Sequence, residues 1–318
     1  MSFDERFPKR QVQIISAPFS GGQPRGGVDE GPQHLLEAGL ETVLKDLDWN
    51  PSFDGHLDFP VPESGDEPIG HVKNPRHVSS AAHKVFTHVS EAAKSGKFPL
   101  TIGGDHSIGI GTVAGVMQQY PDACVIWVDA HADINSPQGS ESGNLHGCPV
   151  SFVLGHDDPL PSDDPKEANL FNWVPHCLDP SRIAYIGLRD LDKYEKNILK
   201  ENHIAAFTMR HVDQYGIGKV VEMALRAINP HNKRPIHLSF DIDALDPFFA
   251  PATGTAVRGG LTWREGCYIC EAIAETGNLV AMDLVEVNPH LAETEEHAKM
   301  TTNAGISLVK CALGDVLL

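Results

Sequence analysis

Three short segments carry side chains suited to holding metal ions and moving protons. In "VIWVDAHADINS" (125–136), Asp129, His131 and Asp133 occupy every second position directly after an apolar run. Extended backbone would put all three on one side. "HLSFDIDALDP" ends a second run with Asp241 and Asp243 two residues apart, and "TIGGDHSIG" offers His106 after a Gly-Gly turn. Singly, each has an ordinary use: an Asp after a strand caps a helix or forms a turn, and a His after Gly-Asp is a surface residue or a hydrogen-bonded one. Two imidazoles and four carboxylates gathered in one place, however, would repel or stay unsatisfied without a cation. The set is mostly hard oxygen, which disfavours a lone structural zinc and suits Mn²⁺ or a similar ion. With carboxylates able to bridge, it suits two ions about 3.5 to 4 Å apart, sharing a water whose pKa falls towards about 7.

For these segments to meet, the chain must bring strand ends together. Apolar or β-branched runs ("VQIISAP", "FPLTIGG", "ACVIWVDA", "RIAYIGL", "IAAFTM", "PIHLSFD", "LVAMDLV") alternate with helical patterns at roughly 30–47, 76–95, 107–119, 212–228, 262–276 and 294–312. This alternation predicts an α/β fold: one domain over residues 1–318, with a mostly parallel central sheet flanked by helices on both faces. Ligand sites in such sheets form beyond the carboxyl ends of the strands, where the polar residues lie. The stretches 50–75 and 156–181, rich in Pro, Gly and acid, read as surface loops within that domain.

With 25 basic and 43 acidic residues the formal charge is −18. Nucleic acid and anionic membrane are therefore unexpected partners, whereas a cationic small molecule would be attracted. No signal-peptide pattern opens the chain and no apolar stretch is long enough to span a bilayer. Six scattered cysteines fit a reducing, cytoplasmic setting. Cys267 and Cys270 form a C-x-x-C without a second pair, which reads as a buried helix face. "GGQPRGG" and "SIGIGTVAG" lack a Walker lysine and a dinucleotide context, so their glycines read as tight turns and close helix packing. No G-x-S-x-G occurs to support a serine nucleophile.

"GGDHSIG", "DAHADIN" and "SFDIDALDP" resemble the three metal motifs of the ureohydrolases, and within that family the chain looks like the arginases. The match continues through "SGNLHG" (142–147), "GLRDLD" (187–192), "GTAVRGGLTWREG" (254–266) and "DLVEVNP" (283–289), spanning about residue 21 to about residue 312. The resemblance implies two Mn²⁺ per subunit. One would be held by His106, Asp129, Asp133 and Asp241, the other by His131, Asp129, Asp241 and Asp243, with Asp129 and Asp241 bridging. It implies proton transfer by His146, a guanidinium clamp at Glu286, α-carboxylate recognition by Asn135 and Ser142, and contacts near the α-amino end from Asp192 and Glu195, with Thr255 also facing substrate. The implied reaction is hydrolysis of L-arginine to L-ornithine and urea, a metal-bridging hydroxide attacking the guanidinium carbon and Asp133 passing its proton to the leaving amine. The resemblance also implies a homo-oligomer, a trimer or hexamer, in which Arg264 and Asp213 can pair between subunits. As isolated residues these two read as a solvated charge and a helix cap.

Three other readings compete. Agmatinase or guanidinobutyrase would use the same metals with different specificity; against agmatinase, Asn135 and Ser142 would have no α-carboxylate to bind. A regulatory metal protein that has lost turnover finds no support, because all six metal ligands, His146 and Glu286 are present. A zinc deacetylase on a related architecture is disfavoured by the carboxylate-rich ligand set.

Overall fold

The computed structural model describes residues 3–61, 65–156 and 158–316. Eight strands form one sheet: β1 (Gln11–Ala17), β2 (Asn50–His56), β3 (Phe98–Gly103), β4 (Cys124–Val128), β5 (Ile183–Leu188), β6 (Ala205–Thr208), β7 (Ile236–Asp241) and β8 (Leu279–Val285). Their order is β2-β1-β3-β8-β7-β4-β5-β6, and every pairing is parallel. The five strands β3, β4, β5, β7 and β8 are buried at every residue. Helices cover both faces, so β3, β4 and β5 read as largely apolar runs, while β7, Ile-His-Leu-Ser-Phe-Asp, alternates apolar with buried polar side chains.

The helices described are α1 (Phe3–Arg6), α2 (Gly31–Glu37), α3 (Leu40–Asp46), α4 (Pro75–Lys94), α5 (Gly109–Gln119), α6 (Pro149–Leu154), α7 (Pro165–Ala168), α8 (Lys193–Glu201), α9 (Met209–Tyr215), α10 (Ile217–Ile228), α11 (Trp263–Glu275) and α12 (Glu295–Ala312). The glycines of "SIGIGTVAG" serve packing. A Cβ on Gly111 would stand 2.2 Å from the Ala82 carbonyl oxygen, so a larger residue there would push α5 off α4. Cys267 and Cys270 are buried on α11, as expected of a packed helix face.

Several local expectations need correction. The stretch 50–75 is not all loop, because Asn50–His56 forms edge strand β2. Its Pro51 and Gly55 and its mostly exposed side chains hide it from any periodicity test; it pairs with β1 with a register shift, Ser52 adds bonds to Val12 and Gln13, and Phe53 packs on the core. The stretch 156–181 contains the single turn α7; residues 62–64 of the first stretch and 157 of the second lie outside the described residues. The helix expected over 30–47 breaks at Gly39 (φ 97°), and that over 212–228 starts three residues earlier and breaks at Gly216 (φ 75°). Helices α6 and α8 were not foreseen. Asp213 caps nothing: it sits exposed inside α9, whose cap is made by Thr208 and His211.

Candidate metal centre and substrate cleft

Four neighbouring strands, β3-β8-β7-β4, deliver one end of the sheet to a common point. His106 follows β3 through a turn in which Asp105 accepts a hydrogen bond from the Ser107 amide (3.0 Å). Glu286 follows β8, and Asp241 ends β7 and accepts from the Asp243 amide (2.7 Å). Asp129, His131 and Asp133 follow β4. The register Val128↔Phe240 sets Asp129 beside Asp241. Asp133 (φ 51°) and Glu286 (φ 63°) both adopt left-handed backbone. Such conformations cost about 1–3 kcal/mol in a non-glycine residue and persist where surrounding structure dictates them, as at functional sites.

The carboxylates crowd the two imidazoles. His106 Nδ1 lies 3.2 Å from Asp129 Oδ2, 3.1 Å from Asp133 Oδ2 and 3.3 Å from Asp241 Oδ2. His131 Nδ1 lies 3.2 Å from Asp243 Oδ2 and 3.4 Å from Asp129 Oδ1. Two sets of potential ligand atoms result, His106/Asp129/Asp241 and Asp129/His131/Asp243, with Asp129 common to both. The supports are specific. Trp127 stacks on the His106 ring at 4.0 Å and donates from Nε1 to Asp129 Oδ2 (2.9 Å). Thr255 Oγ1 donates to Asp243 Oδ2 (2.8 Å), and the His131 amide donates to Asp129 Oδ1 (2.7 Å).

Electrostatically the cluster is in conflict with itself. Burial, then Asp243 and Asp129, push Asp241 well above the carboxylate range; burial and Asp129 raise Asp133 to about 6. Burial also pushes Asp129 up, but His106 and His131 more than reverse it. Burial alone would lower both imidazoles, yet their carboxylate neighbours hold them far above the usual histidine range. Meanwhile the buried His106 Nδ1 makes no hydrogen bond of acceptable geometry with any of its three carboxylate neighbours. Divalent cations between these groups would relieve both problems, so the donor set fits a pair of metal ions.

Above this cluster lies a cleft of about 210 Å³ lined by His131, Asp133, Asn135, His146, Gly147, Asp190, Asp192, Glu195, Asp241 and Thr255. Asn135 Nδ2 donates to Asp192 Oδ2 (2.8 Å). Asp192 and Glu195 also form the reciprocal cap of α8, each side chain accepting from the other's amide (2.9 and 3.0 Å). Burial lifts the Glu195 carboxyl to about 7. Glu286 is buried behind the lining. Its Oε1 accepts from the His106 amide (2.9 Å) and sits 3.4 Å from His146 Nδ1, while its Oε2 has no hydrogen-bond partner. Burial would lower the His146 imidazole, but Glu286 outweighs it and raises it to about 9. Ser142 stands apart from these: it is exposed outside the cleft lining, accepting from the Asn144 amide (3.2 Å).

Sequence reasoning passed over the supports of the site. Arg189, inside the quoted "GLRDLD", donates to the carbonyls of Asp243 (2.6 Å), Ala244 (3.1 Å), Leu245 (3.2 Å) and Val257 (2.8 Å), tying the Asp243 turn to the segment that carries Thr255. Its neighbour Asp190 lines the cleft. Ser239, Trp127 and Asp283 lie inside apolar strands, and only their polar atoms in otherwise apolar runs could have singled them out.

The pattern of the family described as "Arginase family" matches residues 10–314. A curated "Arginase" from Glaciozyma antarctica is 54% identical over 312 residues, covering 97% of this chain and 89% of that protein. "Arginase-1" from Sus scrofa is 49% identical, covering 97% and 94%. The crystal structure of a cold-adapted arginase from the psychrophilic yeast Glaciozyma antarctica superposes with a TM-score of 0.78 at 48% identity, covering 97% of this chain and 96% of that one.

Proposed function

Because this chain belongs to the arginase family, we propose that it hydrolyses L-arginine to L-ornithine and urea. The observation that carries this reading is the convergence of His106, Asp129, His131, Asp133, Asp241 and Asp243 beneath a cleft lined by Asn135, His146 and Asp192.

In this reading two Mn²⁺ are the resident ions, one taken by His106, Asp129, Asp133 and Asp241 and the other by His131, Asp129, Asp241 and Asp243. When bound, the ions supply a nucleophile at neutral pH by lowering the pKa of water towards about 7. The protein must do the rest. Arginine's guanidinium is protonated at physiological pH and resonance-stabilised, so it needs to be held where its central carbon can be attacked. The unpartnered Oε2 of Glu286 offers the anionic partner for that cation. Asn135, with Ser142 at the outer rim, recognises the α-carboxylate; Asp192 and Glu195 face the α-amino end, and Thr255 steadies both Asp243 and the substrate. Asp133 collects the proton released on attack and returns it to the δ-nitrogen as the C–N bond breaks. His146, on the cleft wall 3.4 Å from Glu286, exchanges protons with solvent between turnovers.

The same reading makes the whole chain one catalytic domain acting in arginine breakdown in the cytoplasm, assembled as a trimer or hexamer. Supporting it, none of the described helices is long and apolar enough to cross a membrane, all six cysteines are free, and Arg264 and Asp213 are exposed and available to another subunit. The test is urea release from L-arginine and, in parallel, from agmatine, by protein stripped with chelator and reloaded with Mn²⁺. Turnover of arginine restored by Mn²⁺ is the expected result. Turnover of agmatine alone would keep the metal chemistry and overturn the α-carboxylate recognition, and turnover of neither would overturn the proposal.

A further inference from the structure

A row of polar side chains crosses the middle of the sheet where apolar ones would be expected. The register aligns Thr101, Asp283, Ser239, Trp127 and Tyr185 on strands β3, β8, β7, β4 and β5, all of them buried. A buried carboxylate stands at its centre. Asp283 Oδ2 accepts from Thr112 Oγ1 of α5 (2.6 Å), from His237 Nε2 (2.8 Å) and from Ser239 Oγ (3.3 Å). Ser239 Oγ in turn lies 2.9 Å from His106 Nε2.

With Ser239 donating to Asp283, the remaining proton positions along this chain follow. A carboxylate only accepts, so the single hydroxyl proton of Ser239 is directed to Asp283. Ser239 Oγ can then only accept from His106, which must carry its proton on Nε2. His106 Nδ1 is left with its lone pair facing Asp129, Asp133 and Asp241. We propose that Asp283, acting through Ser239, is the positioning residue that holds His106 in its metal-binding tautomer and so sets the affinity of the ion on the His106 side. Without the buried acceptor the Ser239 hydroxyl can turn and donate to Nε2, which favours a proton on Nδ1, where the ion should bind. Partners of this kind behind a metal-bound histidine change metal affinity by about 10- to 100-fold. The inference rests on the metal reading given above, and the experiment separates the two.

Mn²⁺ uptake would be measured by equilibrium dialysis against a chelator-buffered metal series for the wild type, Asp283→Asn, Ser239→Ala, Ser239→Thr and the Asp283→Asn/Ser239→Ala double variant, with folding followed by circular dichroism. Expected is loss of about 10- to 100-fold in the affinity of one ion per chain in both single variants, with the other ion retained. Ser239→Thr, which keeps the hydroxyl, should restore uptake. The double variant should be no weaker than the worse single one, because both act through one link. Losses that multiply in the double variant, or undiminished uptake by Asp283→Asn, would overturn the inference alone. Should Asp283→Asn not fold, Ser239→Ala decides by itself: an affinity within about threefold of the wild type would overturn the inference. A wild-type protein that takes up no ion would overturn the metal reading and this inference with it.

Discussion

The floor of the cleft and its rim are built by different means. At the floor, His106, Asp129, Asp241 and Asp243 are at most 3% exposed and hang from the ends of adjacent central strands, so sheet register dictates their spacing. At the rim, Asn135 and Ser142 sit on loops, and Asp192 and Glu195 sit at the cap of α8. On the floor, Asp129 and Asp241 stand where β4 and β7 end and His106 and Asp243 sit in the short turns that follow β3 and β7, while the rim follows loops and the α8 cap. The proposed reading accordingly puts the hydrolytic chemistry on the floor and the choice of substrate on the rim.

The strongest way to break this division is to remove a floor carboxylate that the proposed reading assigns to both ions. Asp241→Asn should reduce bound Mn²⁺ from two to one or fewer per chain and lower arginine turnover about a thousandfold or more. Metal analysis beside urea release checks it. If full metal loading and turnover persisted, Asp241 would be a helix cap only, the role its bond to the Asp243 amide already performs.

Between floor and rim stands His146. With its imidazole raised to about 9 chiefly by Glu286 against the opposing effect of burial, the proton-accepting form is scarce at pH 7 and grows about tenfold per unit towards pH 9. Wild-type kcat/KM should accordingly climb through that range. His146→Asn should cost about a hundredfold in turnover and flatten the climb, both read from a pH series of initial rates. A variant with an unaltered alkaline rise would assign that rise to another group.

At the rim the expected effects are smaller and selective. Removing a hydrogen bond to a charged group costs about 1.5–3 kcal/mol, so Asn135→Ala should raise KM for arginine about 10- to 150-fold with kcat little changed. Agmatine, which lacks the carboxylate, should be handled as before. An equal loss on both substrates would show that Asn135 acts by holding Asp192, to which it donates at 2.8 Å, and would return the specificity question to Ser142.

The contrast between floor and rim also explains what could be read from the sequence. D-x-H-x-D after an apolar run is informative because a strand has a fixed period of two, so spacing alone orients the side chains. Buried parallel strands announce themselves as apolar or β-branched runs, and seven of the eight strands, all but β2, fall on such runs. The edge strand Asn50–His56 does not, since an edge needs neither burial nor alternation. Asp283 and Ser239 stayed invisible for a related reason: their importance lies in cross-strand register, which joins residues 44 positions apart. Ser142 matched its motif, yet its exposed position outside the cleft lining depends on loop geometry that no periodicity encodes.

Glu195 sharpens the comparison most gently, because it serves structure and site together. The pattern Asp192-x-x-Glu195 is a capping box, and the structure makes both of its bonds. Burial nevertheless raises the Glu195 carboxyl from the ordinary value of 4.5 to about 7. A carboxyl whose folded pKa lies above its unfolded one binds its proton more tightly in the folded state. Its contribution to stability is full below about pH 4.5 and declines as pH rises to about 7. Replacing it with Gln keeps an acceptor for the Asp192 amide and removes the ionisation. Urea denaturation at a series of pH values should therefore show Glu195→Gln gaining on the wild type by an amount of order 1–3 kcal/mol between pH 5 and 7, and no further above that. A difference that stays constant across the range would mean the carboxyl ionises freely and that its place at the rim costs the fold nothing.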